Sequence, residues 1–182
     1  HGFSALICAP MNKEAFHDAG YHHSDELAYM ADITGADHPV IMGVMDGIWT
    51  ATMSEHVPFS EIRSYVRREG IVDRVRVLNE MLLRVGREQP LIAVAALNPH
   101  GGEGGLFGRE EIDEIGPAVE EARKLGVAVE GPVPADMVFV LATGGRYDGV
   151  LAMYHDQANI ARKLHARGRG CTVFHGLPIP GT

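Results

Sequence analysis

The chain has little cysteine, little positive charge and no long apolar run, and each shortage excludes something. Two cysteines among 182 residues, Cys8 and Cys171, make no disulfide framework, so a reducing, cytoplasmic setting is expected. No stretch approaches the ~18 consecutive apolar residues of a membrane span. The start at His1 has neither the basic nor the apolar region of a signal peptide. Sixteen Lys and Arg against 24 Asp and Glu leave a net charge of −8, which argues against a nucleic-acid partner. An anionic ligand therefore needs a local basic patch. The remainder, 46% hydrophobic and 22% charged, is ordinary globular composition.

What is present alternates between strand and helix patterns. FSALICA (residues 3–9) reads as a buried parallel strand. Ser24 is placed to cap a helix that runs through Leu27 and Met30 and stops at Gly35. PVIMGVM and IWTATMS flank Asp46-Gly47, the strongest hairpin signal in the chain, and should be antiparallel neighbours. From Ser60 the apolar residues recur at helical spacing, with Arg67, Arg68, Arg74, Arg76, Arg84 and Arg87 on the other face, which reads as two helices broken near Gly70. LIAVAAL is a strand, and a helix over about 109–125 has acids in its first turn and bases in its last, as its dipole favours. A short strand, a Pro-rich turn GPVPAD, a strand over about 147–153, a short helix over about 157–165 and the strand CTVF complete the chain. This is an α/β pattern with a mixed sheet.

Three histidines stand out because each follows a strand: His56 in SEHVPF, His100 in LNPHGGEGG and His155 in MYHDQ. Strand ends are where chemistry gathers in open α/β sheets. Three imidazoles with an open position suit a catalytic divalent ion, with Zn²⁺, Mg²⁺, Mn²⁺, Co²⁺ and Ni²⁺ all open. Such an ion polarises a substrate oxygen. Asp136 and Asp156 are the carboxylates best placed to orient ligands or substrate, Asp136 being as well explained as a helix cap. The glycine-rich GGEGGLFG lets backbone approach a ligand, but Phe107 stands where a dinucleotide fingerprint needs its third glycine. Arg162, Lys163, Arg167 and Arg169 form the obvious anion patch, with Lys163 and Lys13 as candidates for turning toward a site.

LNPHGGEGGLFGREEID, GPVPADMVF and LAMYHDQ, with APMNKEAFHDAG and EHVPF, strongly resemble the 4-hydroxythreonine-4-phosphate dehydrogenase family over essentially the whole chain. The resemblance implies an isocitrate/isopropylmalate dehydrogenase-like fold with helices on both faces of the sheet. It also implies a divalent-metal-dependent, NAD- or NADP-linked dehydrogenase that oxidises a hydroxyl of a small acidic substrate, a β-hydroxy acid or a dihydrodiol carboxylate. Its metal ligands fall on His56, His100 and His155, its catalytic carboxylates on Asp136 and Asp156, and its substrate-contacting lysine on Lys163. Glu26, Leu27 and Thr172 fall on its substrate-binding positions, and Lys13 joins them as a substrate candidate by its place after the first strand. The family's Gly-His-Thr phosphate motif is Asp25-Glu26-Leu27 here, and its substrate Asn and Arg are Thr172 and Gly181, so a divergent substrate other than 4-hydroxythreonine 4-phosphate is expected. The family's opening and closing motifs are absent, which makes residues 1–182 the central part of a two-lobed dehydrogenase, with the cofactor contacts unassigned. A homodimer is implied whose shared site takes its ligand at position 155 from the neighbouring subunit. The competing readings are a cofactor-independent metal lyase or hydrolase, and a metal-binding but inactive piece.

Overall fold

A computed structural model describes residues 12–23, 25–37 and 39–178, which divide into two compact units, the second running from Val44 to Gly170. The strand expected at 3–9 lies outside the described residues, as do Ser24 and Gly181.

The first unit holds α1 (Lys13–Asp18), α2 (Glu26–Thr34), most of β1 (Val40–Met45) and β6 (Cys171–His175). Helix α1 was not expected; Asn12 caps it, its side chain accepting from the Ala15 N–H at 3.0 Å. Asp25 is the cap of α2, accepting from the Ala28 N–H at 2.9 Å. Gly35 ends α2 in the left-handed region at φ 65°, as its position predicts.

The second unit begins in the last two residues of β1. Asp46 (φ 46°) and Gly47 (φ 85°) both take positive φ, the conformation of a two-residue hairpin turn, and lead into β2 (Ile48–Ser54). Then follow α3 (Ile62–Tyr65), α4 (Arg68–Arg84), β3 (Ile92–Ala95), α5 (Gly116–Lys124), β4 (Val129–Val133), α6 (Ala135–Thr143), β5 (Gly149–Tyr154) and α7 (His155–Ala166). Strands β2, β5, β3 and β4 are parallel neighbours in that order. With the hairpin the sheet is mixed, as the sequence pattern implies.

Alternation along the strands sorts the helices onto two faces. Ala93, Ala95 and Val150 share a buried cluster with Val138 and Ala142 of α6 and Ala166 of α7. On the opposite face, a Cβ at Gly149 would meet Leu78 and Leu82 of α4, and one at Gly131 would meet Val94 and Val119 of α5. Burial on both faces explains why IAVA is apolar throughout. Because the Gly149 position lies 2.9 Å from Leu82 Cδ1, with Leu82 and Leu78 fully buried, Gly149→Ala should overpack this contact. A loss of about 1–3 kcal/mol is expected in urea unfolding.

Three expectations are corrected here. The helical break falls at Val66 and Arg67, not at Gly70, which lies inside α4. A glycine is used there because α4 closes on β2, a Cβ lying 3.2 Å from Met53 Cε. The helix expected over 109–125 opens as a π-turn, Glu111–Ile115, before α5. Pro117 has no N–H for an ordinary helical bond across this junction, and the wider turn accommodates it. GPVPAD is not a turn: Gly131 to Val133 belong to β4, and Pro134 is the N-cap of α6. Apolar nearly all round, α6 carries no amphipathic signal that marks it as a helix.

Candidate metal centre

The parallel register places the carboxyl ends of β2, β5 and β3 at one edge. Trp49 pairs with Gly149 and Ser54 with Tyr154, while Ile92 pairs with Gly149 and Val94 with Leu151. Chains leaving β2 and β3 pass to α4 and α5 on one face, and the chain leaving β5 passes to α7 on the other. That divergence parts the connections on either side of the β5 end, the position where ligands bind in open α/β sheets.

His56 lies two residues beyond β2 and His155 directly follows β5, so the Ser54–Tyr154 pairing brings them together, with ring centroids 5.5 Å apart. Glu55 joins them, and one ligand atom from each of the three lies within 4.8 Å of the others. Asp156 Oδ1 lies 2.7 Å from His155 Nδ1. An ionised carboxylate only accepts, so a neutral His155 ring bonded to it carries its proton on Nδ1 and presents the Nε2 lone pair. Thr52 donates its hydroxyl to Glu55 Oε1. Arg74, which the helical pattern placed on a solvent face, is half-buried near Glu55. Burial pushes its guanidinium below the ordinary value, against the raising pull of the Glu55 and Asp73 charges.

The strand ends are clamped. Ser54 Oγ donates to the Met153 carbonyl at 3.1 Å. Gln157 accepts from the Met153 N–H at 2.8 Å and donates to the Ala96 carbonyl at 3.0 Å, tying the end of β5 to that of β3.

Among the described residues, the convergent Glu55–His56–His155 group does not include His100. His100 is exposed and opens a run of six positive-φ residues, His100 to Gly105, at 44° to 100°. The two non-glycine members cost roughly 1–2 kcal/mol each in this conformation, so something must hold the loop. Buried Glu111 does: its Oε1 accepts from the backbone N–H groups of Leu97 (2.8 Å) and Asn98 (2.7 Å), and its Oε2 from Asn98 Nδ2 (2.8 Å). Asn98 Nδ2 also donates to Glu110 at 2.8 Å. A Cβ at Gly102 would come within 2.7 Å of the Glu111 carboxylate and one at Gly108 within 2.4 Å of the Asn98 amide. These two glycines therefore make room for a carboxylate and an amide of the chain itself, which does not fit a cradle for the phosphates of a dinucleotide.

The Asn98 hydrogen bond, with Arg63 nearby, holds the Glu110 carboxyl below the usual range, and bonds from Tyr147 and Arg146 do the same for Glu130. For a carboxyl whose folded value is lowered, the stabilisation is complete above the unfolded value of ~4.3 and is lost as pH falls through the folded value. Unfolding free energy should thus decline below about pH 4, with a shallower decline in Glu110→Gln. An unchanged slope in that variant counts against the Asn98 contact.

Of the remaining predicted residues, Asp136 is exposed in the first turn of α6, beyond the end of β4, and is not its cap. Lys163 is exposed near the end of α7, about 12 Å of helix rise beyond His155. Since α7 runs back along the sheet, its last turns approach the amino ends of the strands. His165 and Arg169 both reach Asp46 there, at 3.3 and 3.1 Å, so these two lie away from the histidine pair. Lys13 is exposed at the start of α1, Glu26 is half-buried and Leu27 buried in α2, and Thr172 is half-buried in β6. All four belong to the first unit.

The full chain, residues 1–182, matches the family described as "Pyridoxal phosphate biosynthetic protein PdxA". It is 43% identical over 179 residues to a Pseudomonas aeruginosa protein named "Putative 4-hydroxythreonine-4-phosphate dehydrogenase 2", covering 97% of this chain and 53% of that one. A Clostridium botulinum protein named "Putative D-threonate 4-phosphate dehydrogenase" is 39% identical over 175 residues, 96% of this chain and 52% of that one. Among solved structures, the 4-hydroxythreonine-4-phosphate dehydrogenase of Klebsiella pneumoniae superposes with a TM-score of 0.87 at 37% identity, covering 98% of this chain and 55% of that one. The chain spans about half the length of these relatives.

Proposed function

Because the chain belongs to the PdxA family, we propose that it forms the metal-binding half of a dehydrogenase that oxidises a hydroxyl of a small phosphorylated hydroxy acid. The observation that carries this reading is the His56–His155 pair, with Glu55, at the carboxyl edge of the sheet beside β5. Two imidazoles and a carboxylate are ligands that divalent transition ions accept, and when bound such an ion supplies a Lewis acid for the substrate's hydroxyl oxygen. His155 offers Nε2 because Asp156 holds Nδ1. The third imidazole, His100, is proposed to complete the set from the loop fixed by Glu111.

The electron acceptor is proposed to be NAD or NADP, held by segments other than the HGGEGG loop. Asp136 and Lys163, with Lys13, Glu26, Leu27 and Thr172 of the first unit, are the proposed substrate contacts. The names of the relatives favour a phosphorylated acid, whereas Glu26 brings a negative charge to a position where the family holds phosphate, and like charges disfavour one another. The substrate proposed is accordingly a phosphorylated hydroxy acid other than 4-hydroxythreonine 4-phosphate.

A homodimer is proposed as well, supported by exposed apolar residues on neighbouring helices, Met137 and Val140 of α6 with Ile160 and Leu164 of α7. The parallel register brings His56 and His155 together within one chain, which supports a site built within one subunit over one that takes its ligand at position 155 from a partner. Mixing His56→Ala and His155→Ala chains should therefore restore no metal binding after subunit exchange. Recovery would return the site to the subunit interface.

The activity is tested by nicotinamide absorbance with the full-length protein, a divalent ion, and D-threonate 4-phosphate, 4-hydroxythreonine 4-phosphate and a dihydrodiol carboxylate in parallel. Reduction with the first, abolished by chelation, is expected. Metal-dependent turnover without nicotinamide would instead indicate a lyase or hydrolase.

A further inference from the structure

We propose that Arg63 and Glu110 are positioning residues for His100, together tying the loop that carries it to the segment that follows His56. This role rests on the reading above that His56 and His100 serve one divalent ion, and it holds whichever subunit supplies the imidazole at position 155. Because the convergent group at the strand ends does not include His100, the way its loop is held decides whether its ring can join an ion there. First, Asn98 is locked. Its NH₂ has two hydrogens to give, and it donates to Glu110 Oε2 and to Glu111 Oε2, both at 2.8 Å. Its backbone N–H donates to Glu111 Oε1 at 2.7 Å, and its carbonyl accepts from the Gly101 N–H at 3.2 Å, closing the chain around His100. A displacement of Asn98 is thus passed to the ring two residues on. Second, Glu110 is a bridge. While its Oε2 accepts from Asn98, its Oε1 lies 2.6 Å from Arg63 Nε. Arg63 stands on α3, seven residues after His56, and buried Ile62 beside it anchors that short helix. Third, two acids crowd one amide. The Glu110 and Glu111 carboxylates face the same NH₂ and repel one another at that range, and Arg63 is the cation brought against Glu110 to offset this.

Arg67 and Arg68 extend the same seam of ion pairs, to Glu114 and Glu121. They tie the start of α4 to the π-turn and α5 without passing through Asn98, so they serve as a control for a merely structural effect. Glu110→Gln probes the bridge itself. Its side chain keeps the shape but has a single oxygen, which can serve Arg63 or Asn98 and not both.

The test uses the full-length protein. It compares equilibrium binding of Zn²⁺, and hydrogen exchange of residues 98–108 without metal, in the wild type, Glu110→Gln, Arg63→Gln, Arg63→Lys, Arg68→Gln and His100→Ala. Glu110→Gln is expected to weaken Zn²⁺ by about tenfold, as residues that support a ligand do. Arg63→Gln should weaken it by about threefold to fivefold, the scale of an exposed ion pair, and exchange in the loop should quicken in both. Arg63→Lys, which keeps the charge, should recover most of the affinity. Arg68→Gln should lose stability much as Arg63→Gln does, yet keep wild-type Zn²⁺ affinity and loop exchange. Wild-type affinity in both Glu110→Gln and Arg63→Gln, alongside metal loss in His100→Ala, would overturn the positioning role while leaving His100 a ligand. A loss in Arg68→Gln equal to that in Arg63→Gln would overturn it too. Undiminished binding in His100→Ala would overturn both the role and the reading it rests on.

Discussion

Replacing His56 or His155 by alanine is expected to abolish tight binding of a divalent ion, a loss of about tenfold at the least, since even residues that only support ligands reach that size. Either change removes one of two rings that stand 5.5 Å apart, and with it a ligand from the convergent pair. The effect is also readable as stability. An ion at 100 times its dissociation constant stabilises the folded chain by about 2.7 kcal/mol, so the wild-type melting temperature should rise on adding metal while those of the two variants stay still. Binding should weaken toward acid pH, because ligation requires neutral imidazole. His155→Ala differs from His56→Ala in one respect: it also strands Asp156, whose carboxylate is bonded to His155 Nδ1. Asp156→Asn, which keeps the site but supplies a donor or a weaker acceptor to Nδ1, should give a smaller loss than either alanine. Metal-dependent melting shifts of wild-type size in both histidine variants would contradict the assignment.

The second large effect is expected at Glu111. Its carboxylate serves the Leu97 and Asn98 N–H groups and the Asn98 side chain, and the residue is only 4% exposed. Truncation in Glu111→Ala strands these donors in a buried place, at roughly 1–3 kcal/mol for each group left unsatisfied. A destabilisation of about 2–5 kcal/mol in urea unfolding follows, with the His100 loop losing the anchor for its left-handed turn. Glu111→Gln separates charge from geometry. Its amide oxygen can still accept from both backbone groups, but its NH₂ then faces Asn98 Nδ2, donor against donor. An intermediate loss is expected, and hydrogen exchange at residues 98–108 should quicken in both variants. A stability change within about 0.5 kcal/mol for Glu111→Ala, the range of ordinary surface substitutions, would show that the loop is held by other means.

Glu111 also shows what the sequence could not disclose. Acids at 110 and 111 read as first-turn residues placed for a helix dipole, an explanation sufficient in itself. Their actual partners lie 12 to 14 residues earlier, and no local pattern encodes that fold-back. Glu55 escaped for a related reason. Its neighbour His56 drew attention as a ligand type, while the convergence of Glu55 depends on the direction of one side chain at the end of β2 and on Thr52 three residues before it. Gln157 was passed over as an unremarkable polar residue in MYHDQ, although it ties two strand ends together. The legible features were those whose signal is local. Asp46-Gly47 announced its turn because both positions need positive φ. His56 and His155 could be placed together because each follows an apolar strand. The settings of His100 and Lys163 were not legible in this way, because they depend on a loop held from Glu111 and on the direction of α7. Helix α6 was missed because exposed positions such as Met137 and Val140 are apolar like its buried ones, which leaves no amphipathic period, and α1 because six residues carry too little.

The central claim is that His56 and His155 of one chain bind a single divalent ion at the carboxyl edge of the sheet. Anomalous diffraction from crystals grown with Mn²⁺ or Zn²⁺ and measured at the metal's absorption edge tests it most directly. The account predicts one strong peak per chain, within ligand distance, about 2.0–2.2 Å, of a ring nitrogen from each of these histidines in the same subunit. A peak bonded to His56 of one subunit and His155 of another, or an ion bound elsewhere with the pair left bare, would contradict it.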